Sequence, residues 1–164
     1  MIKVLVNGAA GFMGGEMIKI ITAADDMSLA AGVDTAAGYP ALADVAEKID
    51  VAVDFSHHTA VPALTAWALK TKTPLVIATT GHDDAERELI FAAAREIPVF
   101  YAANMSMGIA LMADTVTALA RAFPDADVEI VEKHHVRKVD APSGTALMLA
   151  KAAAAGRGVE DDFT

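Results

Sequence analysis

Two imidazoles and an ammonium fall within the five residues His134-His135-Val136-Arg137-Lys138, and Pro142-Ser143-Gly144-Thr145 follows shortly after. Histidine is the side chain that most readily donates a proton near neutral pH, and a lysine beside it holds an anion or donates a second proton. Ser143 stands at a predicted helix start, where free backbone N–H groups and the Ser143 and Thr145 hydroxyls can receive a carboxylate. An acid next to an anion cradle suits protonation of a carboxylate-bearing substrate. The plainer reading of the same residues is a solvated basic loop and an ordinary N-cap, with Ser143 capping the helix and the histidines on the surface.

A second group of residues points to a nucleotide. Gly8-Ala9-Ala10-Gly11-Phe12-Met13-Gly14 spaces its glycines as G-x-x-G-x-x-G between a β-branched run and a helical stretch. Glycines there permit a tight turn and a close approach of a pyrophosphate to backbone N–H groups. The usual dinucleotide fingerprint has glycine where Ala10 stands, so this is a variant match, and a glycine-rich turn of any α/β fold is the plainer alternative. Asp34 lies 20 residues beyond Gly14, at the end of the second predicted strand, where a carboxylate accepts from ribose hydroxyls. No Arg or Lys occurs between Lys19 and Lys48 to neutralise a ribose 2′-phosphate, and neither Phe12 nor Thr35 brings a cation. The reading is therefore NADH in preference to NADPH.

Small polar residues end two further predicted strands, in Ala78-Thr79-Thr80-Gly81 and in Ala102-Ala103-Asn104, with Met105 placed to touch a cofactor. Ligands of open parallel sheets sit beyond the carboxyl ends of the strands, although turn and cap residues have the same composition. His57-His58 and His82 form no spacing that suits a metal, because adjacent histidines diverge and no carboxylate completes a motif. No metal site is expected, and Ser56 is read as the cap of the following helix.

These residues need elements to position them. Short β-branched runs at Ile2 to Val6, Ser28 to Val33, Val51 to Phe55, Leu75 to Ala78 and Val99 to Ala102 alternate with helical stretches at Gly11 to Ala24, Ala60 to Leu69 and Asp83 to Arg95. Strands and helices in this rhythm predict an α/β doubly wound parallel sheet, Rossmann-type. Thr35 to Leu42 reads as a loop and Ala43 to Lys48 as one or two helical turns. After Asn104 the rhythm changes to a helix over Met107 to Ala122, an alternating strand over Val128 to Glu132, and a helix over Ser143 to Ala155. The domains expected are a dinucleotide-binding domain over 1–105 and the beginning of an α+β substrate and oligomerisation domain over 106–164. One strand without a partner leaves that second domain incomplete.

Composition narrows the function classes. The chain of 164 residues is 54% hydrophobic and 21% charged, enough apolar surface to fold. Its 13 basic and 22 acidic residues give a net charge of −9, which repels nucleic acid and anionic membranes, so neither is expected as a partner. With no cysteine, thiolate catalysis, disulfides and iron–sulfur clusters are excluded. The uncharged stretch from Ile97 to Ala113 is too short and too polar to span a membrane, and the N-terminus makes a poor secretory signal, so a cytoplasmic location is expected.

The run from Glu132 to Ala146, Glu-Lys-His-His-Val-Arg-Lys-Val-Asp-Ala-Pro-Ser-Gly-Thr-Ala, closely resembles the signature of the dihydrodipicolinate reductases, also called 4-hydroxy-tetrahydrodipicolinate reductases, of lysine and diaminopimelate biosynthesis. The glycine loop ending in Phe12-Met13-Gly14, Ala78 to Gly81 and Ala102 to Met105 agree in order and spacing, so the resemblance spans essentially the whole chain. It implies hydride transfer from a reduced nicotinamide to a cyclic, imine-containing dicarboxylate, giving tetrahydrodipicolinate. It further implies His134 as proton donor and Lys138 as a second acid, with His135, Ser143, Gly144 and Thr145 binding the substrate carboxylates. Gly8, Ala9, Ala10, Gly11, Phe12, Met13, Asp34, Ala78, Thr79, Thr80, Ala102, Ala103, Asn104 and Met105 would hold the dinucleotide, NADH, with NADPH weaker. Val136 stands where some members have arginine, and Phe12 where some have a cation that supports NADPH. Family members continue past residue 164, complete the second sheet and form homotetramers. The alternative expectation is a truncated nucleotide-binding fragment without turnover, and another Rossmann-type dehydrogenase is a more distant rival.

Overall fold

The computed structural model describes residues 1–36, 38–134, 136 and 141–160. They fall into two compact units, Met1–Ala102 and Ala103–Thr164. In the first, five strands form one parallel sheet in the order β2-β1-β3-β4-β5: β1 Ile2–Asn7, β2 Met27–Val33, β3 Val51–Asp54, β4 Leu75–Ile77 and β5 Val99–Tyr101. The strands are short and β-branched because helices cover both faces of the sheet and both must be apolar. Those helices are α1 Phe12–Ala23, α2 Val61–Thr71 and α3 Asp84–Ala94. Leu5, Leu64, Leu75, Ile77 and Ile90 are fully buried on one face, and Val4, Val6 and Ile21 on the other. Burying side chains of this size contributes roughly 1.5–3 kcal/mol each, the main driving force for this unit.

Sheet order decides where a ligand can sit. β1 pairs with β2 on one side and β3 on the other, so the chain winds in opposite directions from β1 and a crevice opens beyond its carboxyl end. The turn after β1 lies there. Gly8 has φ +85°, and a Cβ on it would come within 2.5 Å of the Phe55 carbonyl oxygen. A Cβ on Gly14 would come within 2.0 Å of the Gly8 carbonyl oxygen. Both glycines are thus required for the first turn of α1 to close down on the strand ends.

Two local expectations change. The segment read as one or two helical turns over Ala43 to Lys48 is a single 3₁₀ turn, Leu42–Asp44. Ser56 does not cap the helix that follows β3. His57 accepts the Thr59 N–H at the start of a 3₁₀ turn, while the Ser56 hydroxyl is drawn back to Asp54.

The second unit contains α4 Met107–Ala122 and α5 Gly144–Arg157, packed together through small residues. Ala120, Ala150, Ala153 and Ala154 are buried. A Cβ on Gly156 would lie 2.4 Å from the Thr117 carbonyl oxygen, so the helices meet almost backbone to backbone. The Thr117 hydroxyl donates across that contact to the Ala152 carbonyl at 3.0 Å. The expected strand over Val128 to Glu132 has no ladder partner among the described residues and is not a strand. Alternating polarity is enough for an extended conformation, but strand pairing also needs a neighbouring chain segment to receive its N–H and C=O groups.

Candidate functional site

In the first unit a cavity of about 1070 Å³ lies over the crevice, lined by Gly8, Ala10, Gly11, Asp34, Tyr39, Phe55 and His57 among others. Most N–H groups of the glycine turn are already engaged. Gly8 and Ala9 donate to the Val33 carbonyl at 2.9 and 3.1 Å, Gly11 donates to Gly8, and Ala10 donates to the Asp34 carboxylate at 3.0 Å. The free donors come next in the chain. α1 begins at Phe12 with Gly11 as an N-cap that has no side chain to cap it. The N–H groups of Phe12, Met13 and Gly14 therefore have no acceptor among the described residues, which is the arrangement that receives a pyrophosphate. The Phe12 and Met13 side chains are themselves exposed and do not line the cavity.

Asp34 is half-buried on the cavity wall. One carboxylate oxygen takes the Ala10 N–H and the other the Ala36 N–H at 2.9 Å, so each keeps capacity to accept a further hydrogen bond. Around it the lining contains Thr35, Tyr39, Ala41, Leu42 and Ala43, with no lysine or arginine. Ala78, Thr79 and Thr80 follow β4 and do not line this cavity; nor do Ala102, Ala103, Asn104 and Met105.

A group that the sequence reading passed over connects the two. Asp54, at the carboxyl end of β3, is fully buried and accepts from Asn7 Nδ2 at 2.7 Å, Ser56 Oγ at 2.6 Å and Thr79 Oγ1 at 2.7 Å. Asn7 and Ser56 line the cavity, and Thr79 does not. The signal was an acidic residue ending an otherwise apolar strand, the same signal that marked Asp34.

Nearby, His82 is buried with Nδ1 3.1 Å from the Tyr101 hydroxyl, and Nε2 has no partner. Burial pushes its imidazole below the ordinary value, against the pull of Glu86 and Asp54. Burial would raise the Glu86 carboxyl, but hydrogen bonds from His58 and from the Asp83 N–H hold it below the usual value. No group of His, Asp and Glu among the described residues is arranged to hold a metal.

The second unit brings two of its expected residues, Ser143 and His134, together around Glu132. Ser143 is buried at the start of α5, where its hydroxyl accepts the Ala146 N–H at 3.1 Å and donates to Glu132. The Ser143 hydroxyl is thus a cap tied to a carboxylate, the plainer of the two roles. Glu132 also accepts the Ser143 N–H at 2.8 Å and stands 3.7 Å from His134 Nδ1. Thr145 accepts a hydrogen bond from Asn104 Nδ2 at 2.9 Å, and the N–H groups of Gly144 and Thr145 open the first turn of α5. His135 and Lys138 lie outside the described residues.

Against known families, residues 2–105 match the description "Dihydrodipicolinate reductase, N-terminus" and residues 108–162 match "Dihydrodipicolinate reductase, C-terminus". The chain belongs to the dihydrodipicolinate reductase family. Curated relatives named 4-hydroxy-tetrahydrodipicolinate reductase include one from Caldanaerobacter subterraneus subsp. tengcongensis, 43% identical over 93% of this chain and 63% of the relative. Another, from Sulfurovum sp. strain NBC37-1, is 42% identical over 99% of this chain and 68% of the relative. The chain thus spans about two thirds of the length of the reductases it matches. Among solved structures, a dipicolinate-bound dihydrodipicolinate reductase from Paenisporosarcina sp. TG-14 superposes with a TM-score of 0.76, at 30% identity over 96% of this chain and 67% of that one. A probable dehydrogenase from Thermotoga maritima, 14% identical with a TM-score of 0.51 over 76% of this chain and 41% of that one, shares the fold. Membership in the reductase family agrees with the parallel sheet and with the uncapped helix beyond β1.

Proposed function

We propose that this chain forms the nucleotide-binding and catalytic portion of a 4-hydroxy-tetrahydrodipicolinate reductase, with a dinucleotide-binding domain over 1–105 and the start of a substrate domain over 106–164. The observation that carries the reading is the uncapped start of α1, with its N–H groups unclaimed beside a half-buried Asp34, within a chain of this family. These residues fit a reduced dinucleotide: the helix terminus suits the pyrophosphate and Asp34 the ribose hydroxyls. When bound, the nicotinamide supplies a hydride to a cyclic imine dicarboxylate and leaves as its oxidised form.

The chain's own residues do the rest. Hydride addition places negative charge on the substrate, and His134 supplies the proton that neutralises it, with Lys138 as a second acid. The Gly144 and Thr145 N–H groups, with His135, receive the substrate carboxylates, while Ser143 holds the helix start in place for them. Ala78 to Thr80 and Ala102 to Met105 complete the dinucleotide contacts. Asp34 in a wall without lysine or arginine supports NADH over NADPH, since a 2′-phosphate would meet a carboxylate with no cation to offset it. A cytoplasmic location and assembly as a homotetramer belong to the same reading, and among the described residues no helix is long and apolar enough to cross a membrane.

A second reading, nucleotide binding without turnover, is favoured by the segment Val128 to Val131, which joins no strand ladder among the described residues. Titration with NADH and NADPH, then addition of enzymatically generated substrate while nicotinamide absorbance is followed, tests both. Tighter NADH binding and oxidation dependent on His134 and Lys138 are expected. NADH binding without oxidation selects the second reading, and turnover unchanged in His134→Ala would overturn the assigned acid.

A further inference from the structure

Asp54 has a part in none of the roles above, yet it is the most heavily bonded buried carboxyl in the first unit among the described residues. It is 0% exposed, and its donors come from three different strand ends: Asn7 at the end of β1, Ser56 after β3 and Thr79 after β4. The Ser56 N–H adds a fourth at 3.3 Å, and Asn7 Nδ2 also reaches Ser56 Oγ at 3.1 Å. No lysine or arginine takes part, so the carboxyl is satisfied wholly by neutral donors. A buried group of this kind is costly to leave partly unpaired, so losing one donor loosens the others.

Its placement gives it a function. The glycine turn has ties of its own to β2, through Val33 and Asp34. Asp54 supplies a different connection, joining the cavity wall at Asn7 and Ser56 to Thr79 beyond β4, a segment outside that wall. The backbone already joins these strand ends, with the Phe55 N–H donating to the Asn7 carbonyl at 2.9 Å and the Ala78 N–H to the Asp54 carbonyl at 3.0 Å, and the Asp54 carboxyl adds the side-chain tie that fixes Thr79 against Asn7 and Ser56. We infer that Asp54 is a positioning residue that locks the pyrophosphate turn to the segment after β4, so that both halves of a dinucleotide meet one preformed surface. The inference rests on the dinucleotide reading of the cavity.

The test compares two ligands. ADP-ribose carries the adenosine and pyrophosphate without the nicotinamide, and needs only the turn and Asp34. NADH needs both segments. In Asp54→Asn, which keeps the size but replaces an acceptor by a donor, NADH affinity should fall about tenfold while ADP-ribose affinity stays within about threefold, because misplacement is felt only by the ligand that spans both segments. Ser56→Ala, which removes one donor and leaves the carboxyl in place, should show the same asymmetry at smaller size. Circular dichroism at the titration temperature establishes that each variant is folded, and Ser56→Ala carries the test if Asp54→Asn is not. A purely structural role would lower the melting temperature and leave the NADH to ADP-ribose ratio unchanged, which overturns the inference. Failure of the unsubstituted chain to bind either ligand would overturn the dinucleotide reading itself, and this inference with it.

Discussion

The Glu132 carboxylate accepts the Ser143 N–H at 2.8 Å while standing 3.7 Å from His134 Nδ1, so one side chain joins the start of α5 to the imidazole. A carboxylate in that position limits how the ring can turn relative to the start of α5. Glu132→Gln keeps an acceptor for Ser143 and removes the charge. Turnover should fall roughly tenfold, against about 10²–10⁴ for His134→Ala, with NADH affinity nearly unchanged in both. Steady-state kinetics beside nucleotide titration reads this directly, and a Glu132→Gln enzyme with full turnover would show the pair to be incidental.

Asp34 serves as both ligand and strut, because its oxygens take the Ala10 and Ala36 N–H groups. In Asp34→Ala the ribose loses its acceptor and the glycine turn loses one tie. NADH affinity should drop by about tenfold or more, while NADPH, relieved of a like charge, should drop less. The ratio of the two dissociation constants should therefore move toward one. An unchanged ratio would place the selectivity elsewhere.

The α4–α5 contact tolerates no added volume at its closest point. A Gly156→Ala methyl would meet the Thr117 carbonyl at 2.4 Å and the Ala120 Cβ at 2.9 Å. Overpacking of this kind costs about 1–3 kcal/mol, against a gain in helix propensity of up to about 1 kcal/mol. Net destabilisation of the second unit is expected, seen as faster amide exchange in α4 and α5 with the sheet unaffected.

Acid should weaken the first unit through His82. Burial lowers its folded-state pKa, with His58 and Arg87 pushing the same way and Glu86 and Asp54 opposing. The unfolded chain then binds more protons, so stability is complete above the ordinary histidine value near 6.5 and is lost as pH falls toward the lowered folded value. Glu86, also held below its ordinary value, loses its contribution at lower pH still. His82→Gln removes the first titration while keeping a partner for Tyr101. Urea midpoints between about pH 7.5 and 5.5 should shift less in this variant than in the unsubstituted chain.

The strands were legible because runs such as Val4 to Val6 and Val51 to Val53 are apolar at every position, as burial on both faces requires. β4 and β5 end a residue earlier than read. Ala78 and Ala102 still donate to the neighbouring strand, but the chain has begun to turn away. Val128 to Glu132 shows the limit of pattern: alternation describes the segment's own two faces and says nothing of what pairs with its edges. The glycine turn was legible as a motif, yet only its hydrogen bonds reveal that its useful donors lie at Phe12 to Gly14 rather than at Gly8 to Gly11. Asp54 was hidden for a related reason, since Asn7, Ser56 and Thr79 converge through the sheet and not through spacing.

The reversal of strand order beside β1 has a consequence for the entropy of the unfolded chain. Most neighbouring strands are joined over about two dozen residues, as in Ile2 with Met27 or Leu75 with Val99. Bringing β1 to β3 closes a loop nearly twice as long, with Asn7 and Asp54 47 residues apart. Closure entropy grows only with the logarithm of length, so the longer loop costs about 0.6 kcal/mol more, less than one hydrogen bond to a charged acceptor returns. The winding that opens a crevice is therefore almost free in chain entropy, and the Asn7–Asp54 bond alone is enough to offset it.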